Sequence, residues 1–532
     1  MGNDGERRQV KQVRSASVRA RAGGRARERR LLPPTHAPDI VSAARLDAGA
    51  LDALLAIVPH PPSAAALRRL PESARWGELH QRAPASAGAV RSTVLANRRH
   101  TLAVLGYLAN DASAFERLSL AGRMLKEAAA RAPESIGLLA AGPAGAARAA
   151  LEALLAAALA HAFALPSWKA ARQEPRSVRR LVLLNDVGLD TRYTAAAARG
   201  TNLARWLTSL PPNMLDARGY RSAIAALAGA HGLTLRWLDE RALRRAGANA
   251  FLAVAAGNAA SGAGIAHLKY RPRRSRRALR PEVALIGKGI LFDTGGVNLK
   301  PHRSMLDMHT DMAGSAVALA TLLALAELRA PLAADAWLAI TENQIGPQAY
   351  RPQEVVRAAN GVTIQVIHTD AEGRMVLADT LALAGRTRPR LMIDFATLTG
   401  ACVHALTERM SGAFSNRPEL AAALVEAGRV SGERVWSFPF EADYDAELES
   451  KVADVVQCAV DGKGDHILAT RFLSRFVPAG TPWIHIDLSS ATRGGGLAHV
   501  PTDVTGFGVR LALEVLLKQN VTQKLQKLKG ED

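Results

Sequence analysis

The stretch QVIHTDAEGRMVLADTLALA, residues 365–384, changes its character in the middle. It begins as an apolar, β-branched run that predicts a buried strand, and it ends as an Ala- and Leu-rich run that predicts a helix. Between the two runs lie Asp370, Glu372 and Arg374. Side chains two positions apart in an extended chain point to the same side, so we expect Asp370 and Glu372 to share one site.

Apolar runs of both kinds continue on either side of this stretch. The runs EVALIGKGILF, ADAWLAITEN, GVTIQVIH, RLMIDFATLTG and TPWIHIDLSS predict strands, and GSAVALATLLALAELRA and GFGVRLALEVLLKQ predict helices. Strands that are apolar along their whole length are typical of a mostly parallel sheet with helices on both faces. We therefore predict a larger C-terminal α/β domain with such a sheet over residues 196–520.

A smaller N-terminal α/β domain is predicted over residues 35–195. Its apolar runs HTLAVLGYLA and ESIGLLAAG are separated by the helical runs FERLSLAGRMLKEAAARA and GAARAALEALLAAALAHAFAL. Two domains are also expected because 532 residues exceed what one hydrophobic core usually organises. Residues 1–34, rich in Arg and Gly, are predicted to be a disordered arm, and residues 521–532 a C-terminal tail.

The cysteine count and the apolar segments bear on the compartment. Only Cys402 and Cys458 occur, and neither has a C-x-x-C spacing, which favours a reducing compartment. Residues 146–165 approach membrane-spanning length, but they are mostly Ala and include Glu152 and His161, which favours a packed soluble helix. No secretory signal is visible, so we expect a cytoplasmic protein without a membrane.

The chain is strongly basic, with a formal net charge of +20. Residues 1–30 carry ten basic and three acidic residues, and residues 268–280 are basic without an acid. Such runs are compatible with nucleic-acid binding. Both runs lack aromatic residues that could stack on bases, apart from Tyr270, and Arg outnumbers Lys along the whole chain, which disfavours that interpretation.

Polar residues follow the predicted strands at the points where these strands end. Lys288 and Asp293 precede the pair Gly295 and Gly296, and Asp311 begins the next helix. The carboxyl ends of parallel strands form the edge at which open sheets bind ligands, so we expect these residues to converge with Asp370 and Glu372.

Lys288 and Asp293 are five positions apart and would face opposite sides of a straight strand. Glycine tolerates unusual backbone angles and close approach of other chains. We therefore expect Gly289 and the glycine pair at 295–296 to bend the strand, so that both side chains reach the same rim.

The four carboxylates Asp293, Asp311, Asp370 and Glu372 require neutralisation, because uncompensated charge in a site of this kind is costly. Lys288, Lys300 and Arg374 supply three positive charges, so a structural ion-pair network is one explanation. The other explanation is a pair of divalent metals that the carboxylates bridge and that activate a water between them. Oxygen ligands admit Zn²⁺, Mn²⁺ or Mg²⁺, and the sequence does not choose among them.

Other catalytic motifs are weaker. His368 and His485 lie in or beside predicted strands without zinc-binding spacing, so we interpret both as hydrogen-bonded sheet residues. The GKG at residues 287–289 lacks the remaining residues of a phosphate loop. No G-x-S-x-G elbow is present, which disfavours a serine hydrolase.

The motifs GKGILFDTGGVNLKP, MHTDMAGSA, ENQIGPQAYRPQEVV, HTDAEGRMVLADTLALA and DFATLTGACV follow one another in the order typical of the leucyl aminopeptidase (cytosol aminopeptidase) family. Residues 201–518 resemble this family, and TDAEGR is close to diagnostic for it. The N-terminal region is similar only in size and α/β character. The resemblance implies a di-metal exopeptidase that removes the N-terminal residue of peptides, prefers Leu- and Met-like residues broadly, and assembles as a homohexamer.

The resemblance also implies a role for each matching residue. Lys288 without its proton, Asp293, Asp311 and Glu372 would hold one metal, and Asp293, Asp370 and Glu372 the other, with Zn²⁺ or Mn²⁺ as the ions. Lys300 would polarise the scissile carbonyl, and Arg374 would anchor a bicarbonate that acts as general base. The side-chain pocket would be lined by Met308, Thr397 and Gly400, and Leu398 would offer backbone contacts to the substrate.

Three departures from the family pattern stand out. His368 replaces the usual Asn, His309 replaces a frequent Lys, and AGSA replaces the common GGAA. None of them removes a metal ligand, so we expect activity with altered metal affinity or pH dependence. The alternatives are a DNA-binding or architectural hexamer that uses the basic segments, and an inactive scaffold, which the intact ligand set disfavours.

Overall fold

The computed structural model describes residues 31–35, 37–43, 47–170, 178–185, 187–259, 262–272, 280–519 and 521. The predicted basic arm lies outside the described residues except for residues 31–34, and so does the predicted tail except for Val521. Residues 273–279 of the second basic run also lie outside them. The described chain contains two large β-sheets and one small sheet.

The first large sheet belongs to the predicted N-terminal domain. Its strand order is β1-β6-β5-β2-β4-β3, with every neighbouring pair parallel except β3 and β4. Helices pack on the sheet, and the apolar runs predicted as strands form β4 and β5. The elements are β1 (Asp39–Ser42), β2 (Ala53–His60), α1 (Ala64–Leu67), α2 (Ser73–Arg82), β3 (Val90–Val94), β4 (Leu102–Ala109), α3 (Ala114–Ala129), β5 (Ser135–Ala140), α4 (Ala144–His161) and β6 (Arg180–Leu183).

Two segments have the length and composition of a membrane-spanning helix. They are Ala144–His161 and the stretch His302–Glu327, and 61% and 83% of their apolar windows are buried inside the protein. Helix α4 packs against α3. Ser113 and Glu116 form a capping box at the N-terminus of α3. Burial on this scale is what core helices show.

The second large sheet has the order β15-β14-β17-β13-β9-β10-β8-β7. Its four central strands, β17, β13, β9 and β10, are parallel to one another, and antiparallel pairs flank them. The strands of this half are β7 (Thr234–Asp239), β8 (Gly264–Tyr270), β9 (Val283–Asp293), β10 (Ala334–Asn343), β11 (Val355–Arg357), β12 (Thr363–Gln365), β13 (Leu391–Ala396), β14 (Ser411–Ser415), β15 (Val435–Ser437), β16 (Val455–Val456) and β17 (Trp483–Asp487).

Helices cover both faces of the central strands, as the apolar character of those strands predicts. Successive residues of β9 alternate between the faces: Leu285 joins the core that contains α5, α10 and α15, and Ile286 joins the core that contains α8, α11 and α14. The helices are α5 (Thr191–Thr208), α6 (Ala217–Ala230), α7 (Glu240–Ala246), α8 (Asn249–Ala255), α9 (His302–Met305), α10 (Ala313–Glu327), α11 (Glu372–Gly385), α12 (Gly400–Leu406), α13 (Pro418–Ser431), α14 (Asp465–Ser474) and α15 (Val509–Leu513).

Helix α5 spans the predicted domain limit between residues 195 and 196. Ala195 and Ala198 pack in the core of the first sheet, and Leu203 and Ala204 pack in the core of the second. One helix therefore contributes to both cores. The domain limits themselves stay a prediction.

One predicted strand lies elsewhere. The strand expected from residue 361 is β12, which pairs with β11 and β16 in the small three-stranded sheet and not with the large parallel sheet. It is only three residues long and ends at Gln365. The placement in the large sheet was therefore wrong, because β12 pairs only with β11 and β16, and Val366 continues this contact through backbone hydrogen bonds to Gln353 and Glu354.

The path of β9 explains how Lys288 and Asp293 reach the same side. The pairing of β9 with β10 shifts register, since Thr341 faces Ile290 whereas Asn343 faces Asp293. The extra residue on β9 is the signature of a β-bulge and reverses the alternation of side chains beyond it. The predicted convergence is present, but a bulge produces it rather than a glycine bend.

Candidate active site

The two acids Asp370 and Glu372 lie at the start of α11 and in the loop before it. Helix α11 begins at Glu372, and Ala371 precedes it as the N-cap residue, so Glu372 and Arg374 are helical. Asp370 lies in the preceding turn. The extended backbone expected for Asp370 and Glu372 was wrong, because Glu372 is the first residue of the helix. The two side chains converge because the chain turns into the helix between them.

A hydrogen-bond network around Thr369 holds this turn in place. The Thr369 hydroxyl donates to the Gly295 carbonyl at 2.7 Å, and its amide donates to Asn298 Oδ1 at 2.9 Å. The Thr369 carbonyl accepts from Asn343 Nδ2 at 3.0 Å and from the Tyr350 hydroxyl at 2.9 Å. These contacts join the loop before α11 to the carboxyl ends of β9 and β10.

Lys288 lies between two of the predicted ligands. Its Nζ is 2.9 Å from Asp311 Oδ1 and 3.0 Å from Glu372 Oε1, and it donates to the Thr397 carbonyl at 2.8 Å. Gly373 leaves the space that this side chain needs, since a Cβ at that position would lie 2.7 Å from Lys288 Nζ. The helix start, the strand β9 and the loop after β13 therefore meet at one ammonium group.

Lys300 lies between the other two carboxylates. Its Nζ is 3.0 Å from Asp293 Oδ2 and 2.5 Å from Asp370 Oδ1. One oxygen atom from each of Asp293, Asp370 and Glu372 lies within 4.8 Å of the others, which is a spacing that could hold a metal ion. All four predicted carboxylates and both lysines thus form one cluster.

Burial and neighbouring charges shift the pKa values of the cluster residues. Burial, followed by the charge of Asp293, raises the pKa of Glu372 to about 8, and burial raises the pKa of Asp311 to about 6. Burial and Asp293 also raise the pKa of Asp370. Burial opposes the charged form of Lys288, but the attraction of Asp311 and Glu372 is stronger and raises the pKa of Lys288. As a metal ligand Lys288 would have to release its proton.

The charges of the cluster do not balance. Four carboxylates face two ammonium groups, because the guanidinium of Arg374 is engaged by Asp465. Among the described residues Asp311 Oδ2 and Glu372 Oε2 are buried without a hydrogen-bond partner. A lone ion-pair network leaves both oxygens unsatisfied, which costs free energy. Carboxylate oxygens and an amine are a donor set that suits divalent Zn²⁺ or Mn²⁺, so the residues fit a metal.

Arg374 is buried in the first turn of α11, with 2% of its side chain exposed. Its Nη2 donates to Asp465 Oδ1 at 2.8 Å and to Asp465 Oδ2 at 2.7 Å, and its Nη1 donates to the Gln457 carbonyl at 3.2 Å. Burial opposes the charged form, but Asp465 raises the pKa of Arg374. Arg374 is therefore hydrogen-bonded to Asp465 rather than to a carboxylate of the cluster.

Two of the predicted pocket residues, Thr397 and Met308, contact Asp311 of the cluster. The Thr397 hydroxyl donates to Asp311 Oδ1 at 2.7 Å, and the Met308 carbonyl accepts from the Asp311 amide at 3.3 Å. Leu398 is half-buried, with its amide donating to Asp487 Oδ1 at 3.1 Å, and Gly400 is exposed where α12 begins. Their role in binding a substrate side chain stays a prediction.

The histidines have different environments. His485 lies in β17, where its Nδ1 is 2.7 Å from Asp394 Oδ1, so the interpretation as a hydrogen-bonded sheet residue is confirmed for it. His368 is exposed in the loop after β12, and its Nδ1 accepts from the Asp370 amide at 3.3 Å. It is not a sheet residue, because β12 ends at Gln365. His309 is half-buried in the turn that precedes Asp311.

Three further side chains support the site, and of these Gln457 and Asp465 were not identified from the sequence. Asn343 Nδ2 donates to Asp293 Oδ1 at 2.8 Å, and Gln457 Oε1 accepts the amides of Ile367 and His368 at 3.1 Å each. Asp465 pairs with Arg374. Asn343 had a signal, since it ends the strand β10, whereas the other two lie about 90 residues from their partners along the chain.

Comparison with known proteins identifies the family. Residues 202–513 match the family described as "Cytosol aminopeptidase family, catalytic domain". A probable cytosol aminopeptidase of Syntrophotalea carbinolica is 41% identical over 342 residues, which cover 63% of this chain and 68% of the relative. One of Stutzerimonas stutzeri is 39% identical with the same coverage.

Solved structures agree with this assignment. The structure described as "Bottromycin maturation enzyme BotP in complex with Mn" has a TM-score of 0.77 at 30% identity and covers 88% of this chain and 99% of its own. A mutant of tomato leucine aminopeptidase has a TM-score of 0.79 at 26% identity and covers 92% of this chain and 98% of its own. The chain therefore belongs to the cytosol aminopeptidase family and is a metal-dependent aminopeptidase with the predicted two-domain α/β fold.

Proposed function

We propose that this member of the cytosol aminopeptidase family removes the N-terminal residue of peptides with two divalent metal ions held by Lys288, Asp293, Asp311, Asp370 and Glu372. The main support for this proposal is the cluster of four carboxylates around two lysines. Two of its buried oxygens, Asp311 Oδ2 and Glu372 Oε2, have no hydrogen-bond partner among the described residues. When bound, a pair of divalent ions supplies Lewis-acid activation of a water and of the scissile carbonyl.

The ligands divide as the family resemblance implies. Asp293 and Glu372 would contact both ions, Lys288 and Asp311 would hold one, and Asp370 would hold the other. A structure of the bottromycin maturation enzyme contains Mn, which supports Mn²⁺ beside Zn²⁺ as a candidate ion. Metal analysis of the saturated protein should give two ions per chain, and a maximum of one would contradict the bridged arrangement.

Lys300 would stabilise the charge that develops on the substrate. Burial opposes its charged form, but Asp293 raises the pKa of Lys300, so the side chain stays an ammonium at neutral pH. Its side chain is 14% exposed, whereas that of Lys288 is 4% exposed, so Lys300 is the more accessible of the two cations. A fixed cation at this place favours the negative oxygen formed when the scissile carbonyl is attacked.

The acidic rim would also select the substrate end. An N-terminal amine can face the carboxylates and enter the coordination sphere only if it carries a free lone pair, whereas an acylated amine cannot. The identity of the N-terminal side chain should matter less, because an apolar pocket such as the one proposed at Met308, Thr397 and Gly400 separates apolar residues by only about 1–3 kcal/mol per methylene. We therefore propose broad activity on Leu- and Met-initiated peptides.

One measurement tests this function directly. We would compare kcat/KM for a leucine-initiated peptide and its N-acetyl twin, with Zn²⁺ or Mn²⁺ present, from about pH 6 to 10, a range that spans the amine pKa of about 7.7–8.0. The free peptide should be cleaved, faster as its amine loses a proton, and the acetylated peptide should not. Equal rates for the twins would reject aminopeptidase chemistry at this site.

We also propose that the chain assembles as a homohexamer in the cytoplasm, as its resemblance to the family implies. Exposed apolar side chains on the loops after β9 and β10 support self-association, with Val297, Leu299, Leu306 and Ile345 each more than 40% exposed. Both cysteines are free and buried, which suits a reducing compartment. Light scattering on purified protein tests the assembly, and a monomer would contradict it.

The only support for nucleic-acid binding is the basic composition of the chain. Residues 1–30 and 273–279, which carry much of the local basic charge, lie outside the described residues. A gel shift across a salt series distinguishes this alternative, because binding driven by phosphate contacts weakens steeply with salt. Peptide hydrolysis without such a shift would leave the enzyme as the sole function.

A further inference from the structure

Arg374 is the residue that the family resemblance assigns to a bound bicarbonate, but its hydrogen bonds are already taken. Nη2 donates to both oxygens of Asp465, and Nη1 donates to the Gln457 carbonyl. Only Nε has no partner among the described residues, and that atom is buried. A free anion would have to displace Asp465 to reach the guanidinium, so the residues present do not fit bicarbonate.

The geometry points to a built-in replacement: we infer that Asp465 is the anion that Arg374 holds, and that this enzyme neither binds nor needs bicarbonate there. The inference rests on the proposed function for the reaction itself. Asp465 offers the same chemical group, a planar carboxylate, at 2.7 and 2.8 Å from one nitrogen. An anion tethered to the chain pays less entropy to occupy the site than an ion from solution.

The backbone places Asp465 where it can act as this partner. It is the first residue of α14, and the preceding Gly464 has a φ of 60°, the left-handed region, which turns the chain into the helix. Its side chain is 24% exposed while that of Arg374 is 2% exposed, so the carboxylate is the more solvent-accessible member of the pair. Asp465 thus occupies the Nη2 hydrogen bonds that an external anion would need.

The test compares bicarbonate binding and dependence in two variants. Asp465→Ser removes the carboxylate of this pair. Asp445→Ser is the matched control. Asp445 accepts hydrogen bonds at 2.7 and 2.8 Å from Arg471, which is a residue of α14, and this pair lies outside the carboxylate cluster. Binding of ¹³C-bicarbonate is followed by NMR, and hydrolysis of leucine amide is followed in CO₂-free buffer with and without added bicarbonate.

We expect the wild type to show no bicarbonate binding and an unchanged rate. Asp465→Ser should lose on the order of 10²-fold in kcat without bicarbonate, the cost typical of a misplaced group in a reaction site. It should bind bicarbonate and regain much of the rate as bicarbonate is added. Asp445→Ser should behave as the wild type in both assays. Rescue by bicarbonate separates an anion-holding role from a merely structural one.

Two results would overturn the inference: saturable bicarbonate binding with rate stimulation in the wild type, or a fully active Asp465→Ser in CO₂-free buffer. If Asp465→Ser does not fold, the wild-type titration alone decides. If no variant cleaves leucine amide with metal present, the proposed function fails, whereas the NMR titration still reports whether Arg374 is open to bicarbonate.

Discussion

Two buried carboxylates on helix α11 have nearly the same exposure and opposite surroundings. Glu372, in the first turn, is 1% exposed, touches Lys288 through Oε1 and leaves Oε2 without a hydrogen-bond partner among the described residues. Asp379, two turns later, is 0% exposed, and its oxygens accept the amides of Phe251 at 2.8 Å and Ala359 at 2.7 Å. One carboxylate is under-satisfied among like charges, and the other is fully satisfied.

Burial alone does not tell these two residues apart. It is the largest cause in both cases, raising the pKa of Glu372 to about 8 and the pKa of Asp379 to about 7. What differs is the second contribution, since Asp293 pushes the pKa of Glu372 higher whereas backbone amides pull that of Asp379 down. An unsatisfied oxygen beside like charges, rather than a shifted pKa, therefore marks the functional carboxylate.

The largest expected effect comes from removing the unsatisfied carboxylate. Glu372→Ala should lower kcat/KM by more than about 10³-fold, beyond the loss typical of a single electrostatic contact, because a ligand shared by both proposed ions disappears. Metal content should fall with it. Kinetics and metal analysis on Asp293→Ala should agree, and a mild loss in either variant would contradict the assignment of Asp293 and Glu372 to both ions.

The next effect concerns a cation of the same cluster that has no contact with Asp379. Lys300→Ala should lower kcat on the order of 10²- to 10³-fold through loss of charge stabilisation, while metal content stays nearly unchanged. Lys451→Ala removes an exposed lysine elsewhere and should leave both quantities unchanged. Loss of metal in Lys300→Ala would mean that Lys300 belongs to the ligand set.

Two glycines extend the comparison along the same helix. A Cβ on Gly373 would meet Lys288 Nζ at 2.7 Å, and a Cβ on Gly385 would meet the ring of Pro478. Gly373→Ala should lower activity roughly 10- to 100-fold, as changes that displace a metal ligand typically do. Gly385→Ala should lower the unfolding temperature and leave kcat unchanged. If Gly373→Ala and Gly385→Ala were both fully folded and lost activity equally, the distinction between the two ends of the helix would be wrong.

The smallest effect on activity is expected at the satisfied carboxylate. Asp379→Asn sets an amide NH₂ against a backbone N–H and should lower the free energy of unfolding by about 1–3 kcal/mol, with kcat per folded molecule unchanged. Urea unfolding and kinetics on the same sample measure both quantities. A loss of kcat at full folding would show that Asp379 acts on the site.

The same variant tests a pH dependence. The folded pKa of Asp379, about 7, lies above its ordinary value of 3.8, so between these values the unfolded chain has released a proton that the folded chain keeps. Stability from this group is therefore lost as pH rises from about 4 to 7. Asp379→Asn removes that contribution, and its unfolding free energy should depend less steeply on pH across this window than that of the wild type.

Several residues show where prediction from the sequence stopped. The convergence of Asp293, Asp311, Asp370 and Glu372 was predictable, because polar residues ended apolar runs and their motif order resembled one family. The local reasons were not. A bulge in β9 and a turn before α11 replaced the expected glycine bend and extended strand, since one inserted residue reverses the side-chain alternation without altering the sequence pattern.

The sequence by itself determined the α/β class, the two-domain organisation and the set of cluster residues, because periodicity and motif order are properties of neighbouring positions. Only the tertiary structure decided which cation meets which acid. It gave Arg374 to Asp465, 91 positions away, and left the carboxylate cluster with Lys288 and Lys300. Such pairing depends on how distant segments pack, and electrostatic energy depends on distance in space, which the order of residues does not contain.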